Sequence, residues 1–274
     1  MKTKKIVSVF DGLSCAQIAI NNLGCKDYEY IASEVDKYSM KVCLQNYPNT
    51  KQLGSIEDID FTKIKDTYLL VGGSPCQSFS RLGNGAGFDG KSKLFFEYLR
   101  ALDETKPKYF LLENVSMKRE WRDEITKLVG VEPISLNSAK LSAQNRPRLY
   151  WTNIPNILEP IDLGLKIIDV VNPIFSDKYP KFLDGKFGNK IRKDYIKLPN
   201  QKASCLTASM YNGQTPSFCK NEKGEIYKYT AEDLEALQTI PKGYTNHVSK
   251  TQRMKMIGNG MTVRVIEHLL SNIF

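Results

Sequence analysis

Histidine is scarce in this chain, with two among 274 residues. None of the six cysteines, Cys15, Cys25, Cys43, Cys76, Cys205 and Cys219, forms a C-x-x-C pair. Together these shortages argue against a zinc site, which needs three or four clustered nitrogen or sulfur ligands. A disulfide framework is not expected either in a chain of this size without a secretory signal. No apolar run approaches the ~20 residues that cross a bilayer. The start, Met1 to Asp11, is basic, but its apolar run of about five residues is shorter than the ~7–15 of a signal peptide. It reads as a first strand, and the protein is expected in the cytoplasm. There is no internal repeat. The dinucleotide fingerprint is also broken, since Ser14 and Gln17 stand where its later glycines would be.

Basic charge, by contrast, is abundant: 39 Lys and Arg against 30 Asp and Glu give +9. That balance favours a polyanionic partner, although a lysine-rich solvated surface has the same composition. With 41% hydrophobic residues the chain can bury an ordinary core. Its first half alternates strand-like and helix-like runs. Ile6–Phe10, Tyr30–Glu34, Tyr68–Val71 and Tyr109–Glu113 read as strands. Residues 16–23, stopped by Gly24, and Leu94–Leu102 read as helices. The rhythm predicts an α/β fold with a doubly wound, mostly parallel sheet. Beyond about Pro155 the periodicity fades, and Lys181–Lys202 carries seven basic residues and two acidic ones. Order returns with a helix capped by Thr230, then a short helix capped by Thr251, and finally Val263–Leu270.

In doubly wound sheets ligands gather at the carboxyl ends of strands, and the chemically notable residues fall there. Phe10-Asp11-Gly12-Leu13-Ser14 is a strand-to-helix turn, and Glu34 ends the next strand, where an acid commonly bonds ribose. An ordinary turn and a surface acid would look the same. Gly72-Gly73-Ser74-Pro75-Cys76 sets a thiol in a glycine- and serine-rich loop, a poor place for an inert core cysteine. Glu113-Asn114 puts a carboxylate after an apolar strand, either as a salt bridge or as a working group. Arg146 and Arg148, two apart on a strand, are expected on one face, as a clamp for carboxylate or phosphate or as a surface charge pair.

Taken in order, these motifs resemble the cytosine-5 DNA methyltransferase family. They are Phe10–Ser14, Ala32–Asp36, Gly73–Gln77, Leu94–Glu97, Glu113–Val115, Gln144–Arg148 and Gly258–Val263. Several also look like the catalytic domain of the animal de novo enzymes, while the short middle section is more like bacterial or phage members. The resemblance implies an S-adenosylmethionine-dependent methyltransferase fold. Its catalytic and cofactor-binding part would be 1–154 and 230–274, with a small irregular, β-rich target-recognition lobe at 155–229. It implies Cys76 as nucleophile, with Glu113, Asn114, Arg146 and Arg148 around the target cytosine. S-adenosylmethionine would be held by Phe10, Asp11, Gly12, Leu13, Glu34, Val35, Ile56, Pro75, Leu94, Asn259 and Met261. Double-stranded DNA would meet Gln77, Ser80, Arg81, Lys190, Arg192, Lys193 and Thr207. No metal or membrane is implied, and a monomer is expected. One departure stands out: Ser55 replaces the acid that the family usually places beside adenine, and Glu57 or Asp58 are its nearest substitutes.

Three rivals remain at this level. A cytosine-5 methyltransferase acting on tRNA shares the motifs. A non-catalytic DNA-binding relative usually loses the nucleophile or the glutamate, and here both stand. A nicotinamide oxidoreductase would leave Cys76 and the two arginines without a role.

Overall fold

The computed structural model describes residues 3–74, 94–175, 196–212 and 218–274. By contacts the chain divides into two compact units. One comprises Met1–Leu136, Pro147–Leu158 and Glu267–Phe274; the other comprises Asn137–Arg146 and Glu159–Ile266.

The first unit is built on a seven-stranded sheet. In chain order its elements begin β1 (Lys4–Val9), α1 (Cys15–Asn22), β2 (Tyr28–Ser33), α2 (Lys37–Asn46), β3 (Lys51–Gln52) and β4 (Thr67–Gly73). They continue with α3 (Leu94–Thr105), β5 (Tyr109–Val115), α4 (Arg119–Val129), β6 (Ile134–Asn137) and β7 (Pro147–Thr152). The strand order is β3-β2-β1-β4-β5-β7-β6. The β1–β2, β1–β4, β2–β3 and β4–β5 pairs are parallel, and β5–β7 is antiparallel. Strands covered on both faces need apolar side chains on both, which explains the unbroken buried runs Ile6–Val9 and Leu69–Val71. One core cluster joins Val7, Val9, Leu70, Phe95, Tyr98, Leu112, Ile125 and Trp151. The order reverses at β1–β4, where a crevice opens at the strand ends of such sheets.

The second unit holds α5 (Ile167–Val170), a hairpin of β8 (Phe218–Lys220) and β9 (Ile226–Lys228), α6 (Ala231–Leu237) and α7 (Lys250–Asn259). The last helix, α8, spans Val263–Leu270. Thr230 caps α6 in a reciprocal box with Asp233, as its sequence requires. The cap of α7 is Ser249, not Thr251, so that helix starts earlier than its sequence suggests. Cys219 is fully buried, and desolvation pushes its thiol up to about 11, as fits a packing residue.

Candidate active site

The turn leaving β1 is tightly wound. Phe10, Gly12 and Ser14 all have left-handed backbone angles, at φ 57°, 56° and 55°. For Phe10 and Ser14 such angles cost on the order of 1–3 kcal/mol each unless the surroundings enforce them. Here the enforcing group is Asp11. Its carboxylate accepts from Ser8 Oγ at 2.6 Å, from Tyr30 OH at 2.8 Å and from Ser14 Oγ. The Asp11 side chain is 4% exposed and fixes the turn from within, so what the turn leaves open to a ligand is its backbone. The same holds for Leu13, whose side chain is buried.

Burial raises the Asp11 carboxyl from 3.8 to about 6, against the lowering effect of its hydroxyl partners. Between those values the folded protein binds more protons than the unfolded chain, so this group's contribution to stability falls as pH rises, and levels off above about 6. Asp11→Asn removes that slope. The wild-type minus variant unfolding free energy, from urea titrations, is expected to drop by on the order of 3 kcal/mol between acid pH and neutrality. A flat difference curve would refute a desolvated carboxyl.

Glu34, just past β2, accepts from Gly12 N at 2.7 Å through one oxygen and from Val35 N and Asp36 N, at 2.7 and 2.8 Å, through the other. It thereby locks the first turn to the second strand. Oε1 is filled by its two backbone donors, whereas Oε2 keeps a lone pair able to accept from a ligand hydroxyl. Val35 beside it is 73% exposed, an apolar surface with nothing covering it among the described residues. Ile56 is buried, and Ser55 accepts from Glu57 N at 3.3 Å, capping a short 3-10 turn. That turn is held by Arg100 of α3, which sequence reading missed. Its guanidinium donates to Ile56 O (2.6 Å), Ile59 O (2.8 Å), Glu97 and Glu104, so all five of its N–H groups are engaged.

At the ends of β4 and β5 the geometry becomes that of a working site. Arg148 Nε lies 2.8 Å from Glu113 Oε1, with side chains only 13% and 14% exposed. Across the antiparallel pair Tyr150 faces Glu113 and Arg148 faces Val115, so the ion pair is a diagonal contact on one sheet face. Gly73 is opposite Glu113 on β4, and a Cβ there would come within 2.9 Å of Glu113 Oε2. Glycine is what lets the carboxylate lie over that strand. Asn114, 1% exposed, donates to Ser74 Oγ at 3.0 Å. It anchors the residue from which the chain leaves β4 toward Cys76. Cys76 itself, with Pro75, Gln77, Ser80 and Arg81, lies outside the described residues, as do Lys190, Arg192 and Lys193. Leu94 starts α3 and packs partly buried on the core.

Arg146 does not share a face with Arg148. Strand β7 begins at Pro147, so the alternation that would align the two arginines does not reach position 146. Arg146 is 3% exposed and belongs to the second unit. It donates to Leu206 O at 2.7 Å, Gly258 O at 3.2 Å and Gly260 O at 2.9 Å. The expectation of two arginines aligned by strand alternation is therefore corrected: Arg146 precedes the strand and is held by these backbone acceptors. In the same unit Thr207 pairs with Ser209, Asn259 is exposed and Met261 is buried. Among the described residues there is no cluster of possible metal ligands, and no helix is long and apolar enough to cross a membrane.

Comparison with known proteins gives this arrangement a family. The profile of the C-5 cytosine-specific DNA methylases matches residues 4–182 and 140–274. The type II methyltransferase M1.ScrFI of Lactococcus lactis subsp. cremoris is 28% identical over 296 residues, covering 96% of this chain and 76% of that protein. Type II methyltransferase M.HaeII of Haemophilus aegyptius is 28% identical over 306 residues, covering 100% and 93%. Among solved structures, the Entamoeba histolytica methyltransferase EhMeth matches with a TM-score of 0.77 over 100% of this chain and 98% of that one, at 15% identity, a likeness of fold. The chain belongs to the C-5 cytosine-specific DNA methylase family.

Proposed function

We propose that this protein methylates carbon 5 of cytosine in duplex DNA, with S-adenosylmethionine as donor and Cys76 as covalent nucleophile. The observation that carries the reading is the buried Glu113–Arg148 pair beside Ser74 and Asn114, at the root of the segment that bears Cys76. DNA is preferred to tRNA because the family matched along the chain is one of DNA methylases. A non-catalytic relative is disfavoured because Cys76, Glu113, Asn114 and Arg148 are all in place.

The residues divide the work as follows. A cytosine stacked in a duplex is out of reach, so the target base is taken out of the helix. The Cys76 thiolate adds to carbon 6 while Glu113 holds a proton at ring N3, and carbon 5 gains enamine character. Arg148 keeps the Glu113 carboxylate oriented toward the base. Asn114 steadies Ser74 and thus the approach of Cys76. After methylation water takes the carbon 5 proton, the electron pair left behind restores the double bond between carbons 5 and 6, and the bond from carbon 6 to sulfur breaks to free the thiolate.

When bound, S-adenosylmethionine supplies an electrophilic methyl group. The residues present suit it. The backbone of Asp11-Gly12-Leu13 offers a close-approach turn at a helix start, Glu34 Oε2 has a lone pair for a ribose hydroxyl, and Val35 and Phe10 offer apolar surface for adenine, with the buried Ile56 assigned beside them. Pro75, Leu94, Asn259 and Met261 are assigned to the same ligand. The hydroxyl of Ser55 is engaged in a helix cap, so adenine lacks the acid that other members place there. Glu34→Ala is expected to weaken cofactor binding by about 1–3 kcal/mol, the worth of charged hydrogen bonds. Calorimetric titration with S-adenosylhomocysteine reads this directly, and an unchanged affinity would reduce Glu34 to a turn-holding role.

Gln77, Ser80 and Arg81 are assigned to the gap left by the base, and Thr207 to its neighbourhood. Residues 155–229 are assigned to reading the major groove, with Lys190, Arg192 and Lys193 on phosphates. Bisulfite sequencing of DNA from cells expressing the protein tests the function as a whole. Protected cytosines in one recurring sequence context are expected, and uniform conversion would refute it.

A further inference from the structure

Within the second unit a buried polar network ties together two segments to which the proposed function gives different ligands. One is 203–209, assigned to DNA through Thr207; the other is 257–262, assigned to the cofactor through Asn259 and Met261. Arg146 reaches both, donating to Leu206 O and to Gly258 O and Gly260 O. It has no carboxylate partner among the described residues, and its Nε is buried without an acceptor. Arg146 also donates to Cys205 Sγ at 3.5 Å; a buried cation held by carbonyls and a thiol is costly to maintain, so these bonds must be kept together.

Glutamines complete the link. Gln144 accepts from Leu206 N at 2.8 Å and donates to Gln238 Oε1 at 2.7 Å. Gln238 donates in turn to Ile257 O (2.9 Å) and Gly260 O (2.8 Å), and accepts from Thr262 Oγ1 at 2.8 Å. Gln144 and Gln238 are fully buried, and Thr262 nearly so. The two segments are also pressed together: a Cβ on Gly258 would overlap the backbone of Thr207 and Ala208. Neither segment can move toward the other without displacing it, and the shared hydrogen bonds oppose their moving apart.

We infer that Arg146, with Gln144, Gln238 and Thr262, is a positioning device that couples DNA binding to cofactor binding, so that ordering either segment by its ligand orders the other. This rests on the proposed assignment of the two segments. Coupling of this kind is a reciprocal free energy between sites, and it arises here from two segments sharing one set of hydrogen bonds rather than from a ligand touching both.

The test is the affinity for S-adenosylhomocysteine with and without a saturating duplex carrying the target found by bisulfite sequencing. In the wild type the duplex is expected to tighten binding about tenfold. Arg146→Lys keeps the charge but places one ammonium where a fork spans two segments, and the ratio is expected to fall below about twofold. General loss of stability lowers the folded fraction but not this ratio, so a merely structural role would leave it alone. If Arg146→Lys does not fold, Thr262→Val, which keeps the shape and removes one hydroxyl link, is read in the same way. A ratio unchanged by the variant, or a wild type with no ratio, overturns the inference. A wild type that binds neither ligand instead overturns the functional reading on which it rests.

Discussion

Replacing Cys76 with serine is expected to lower kcat by at least about three orders of magnitude, while the affinity for S-adenosylhomocysteine stays within about twofold. The reason is chemical. Cytosine carbon 5 is too weak a nucleophile to take a methyl group until a soft, ionisable atom has added at carbon 6. A serine hydroxyl in the same place is almost wholly protonated near neutrality, whereas a thiol is a few per cent ionised even without help. The groups of the first unit proposed to hold the cofactor, the Phe10–Ser14 turn and Glu34, are fixed by their own hydrogen bonds, so the loss should be in turnover and not in binding. Single-turnover rates with tritiated donor and calorimetric titration separate the two. Appreciable turnover by the serine variant would remove the covalent step from the mechanism.

Glu113→Gln is the second large effect, with kcat expected to fall about 10²–10⁴-fold. The amide keeps the size of the side chain and can still meet the edge of the base, but it cannot deliver a proton to N3 as negative charge develops. It also breaks the pair with Arg148, leaving a guanidinium that is 13% exposed without its carboxylate. Removing one partner of a buried pair destabilises by as much as about 3–5 kcal/mol, less here because the pair retains some solvent contact. Thermal unfolding should therefore register the substitution as well as kinetics. If stability falls but kcat does not, Glu113 is a structural partner of Arg148 and the proton is supplied from elsewhere.

Where sequence reading succeeded, the signal was physical and local. The buried strands of a sheet covered on both faces are runs of apolar residues, and β1, β2, β4 and β5 lie within a few residues of their predicted positions. Asp11 and Glu34 fall within two residues of the ends of β1 and β2, and Gly72-Gly73 and Glu113-Asn114 lie inside β4 and β5 at theirs. Helix α2 was less visible, because its register depends on Asp36 capping Tyr38 and Ser39 more than on an apolar stripe. The two-residue strand Lys51–Gln52 has no apolar pattern at all.

What the sequence does not show are polar partners that lie far away along the chain. Nothing in the turn shows that Tyr30, on the neighbouring strand, turns its hydroxyl inward to Asp11. Arg146 looked like a twin of Arg148, yet its acceptors are carbonyls some 60 to 114 positions away. Arg100 shows only its helical spacing to Glu97 and Glu104; its hold on the turn is not visible, since the acceptors at Ile56 and Ile59 are backbone atoms. Helix α7 runs through Gly258 to Asn259. The glycine's missing side chain makes room for the backbone at Thr207 and Ala208.

The central claim is a sulfur–carbon bond between Cys76 and the ring of the target base. A duplex with 5-fluorocytosine at the methylated position blocks the final departure from carbon 5, so the adduct should persist once the methyl donor is added. Denaturing gels and peptide mass spectrometry are expected to show a one-to-one conjugate whose modified peptide contains Cys76. Active enzyme that methylates ordinary DNA yet forms no conjugate with this duplex, or forms it through another cysteine, would contradict the account.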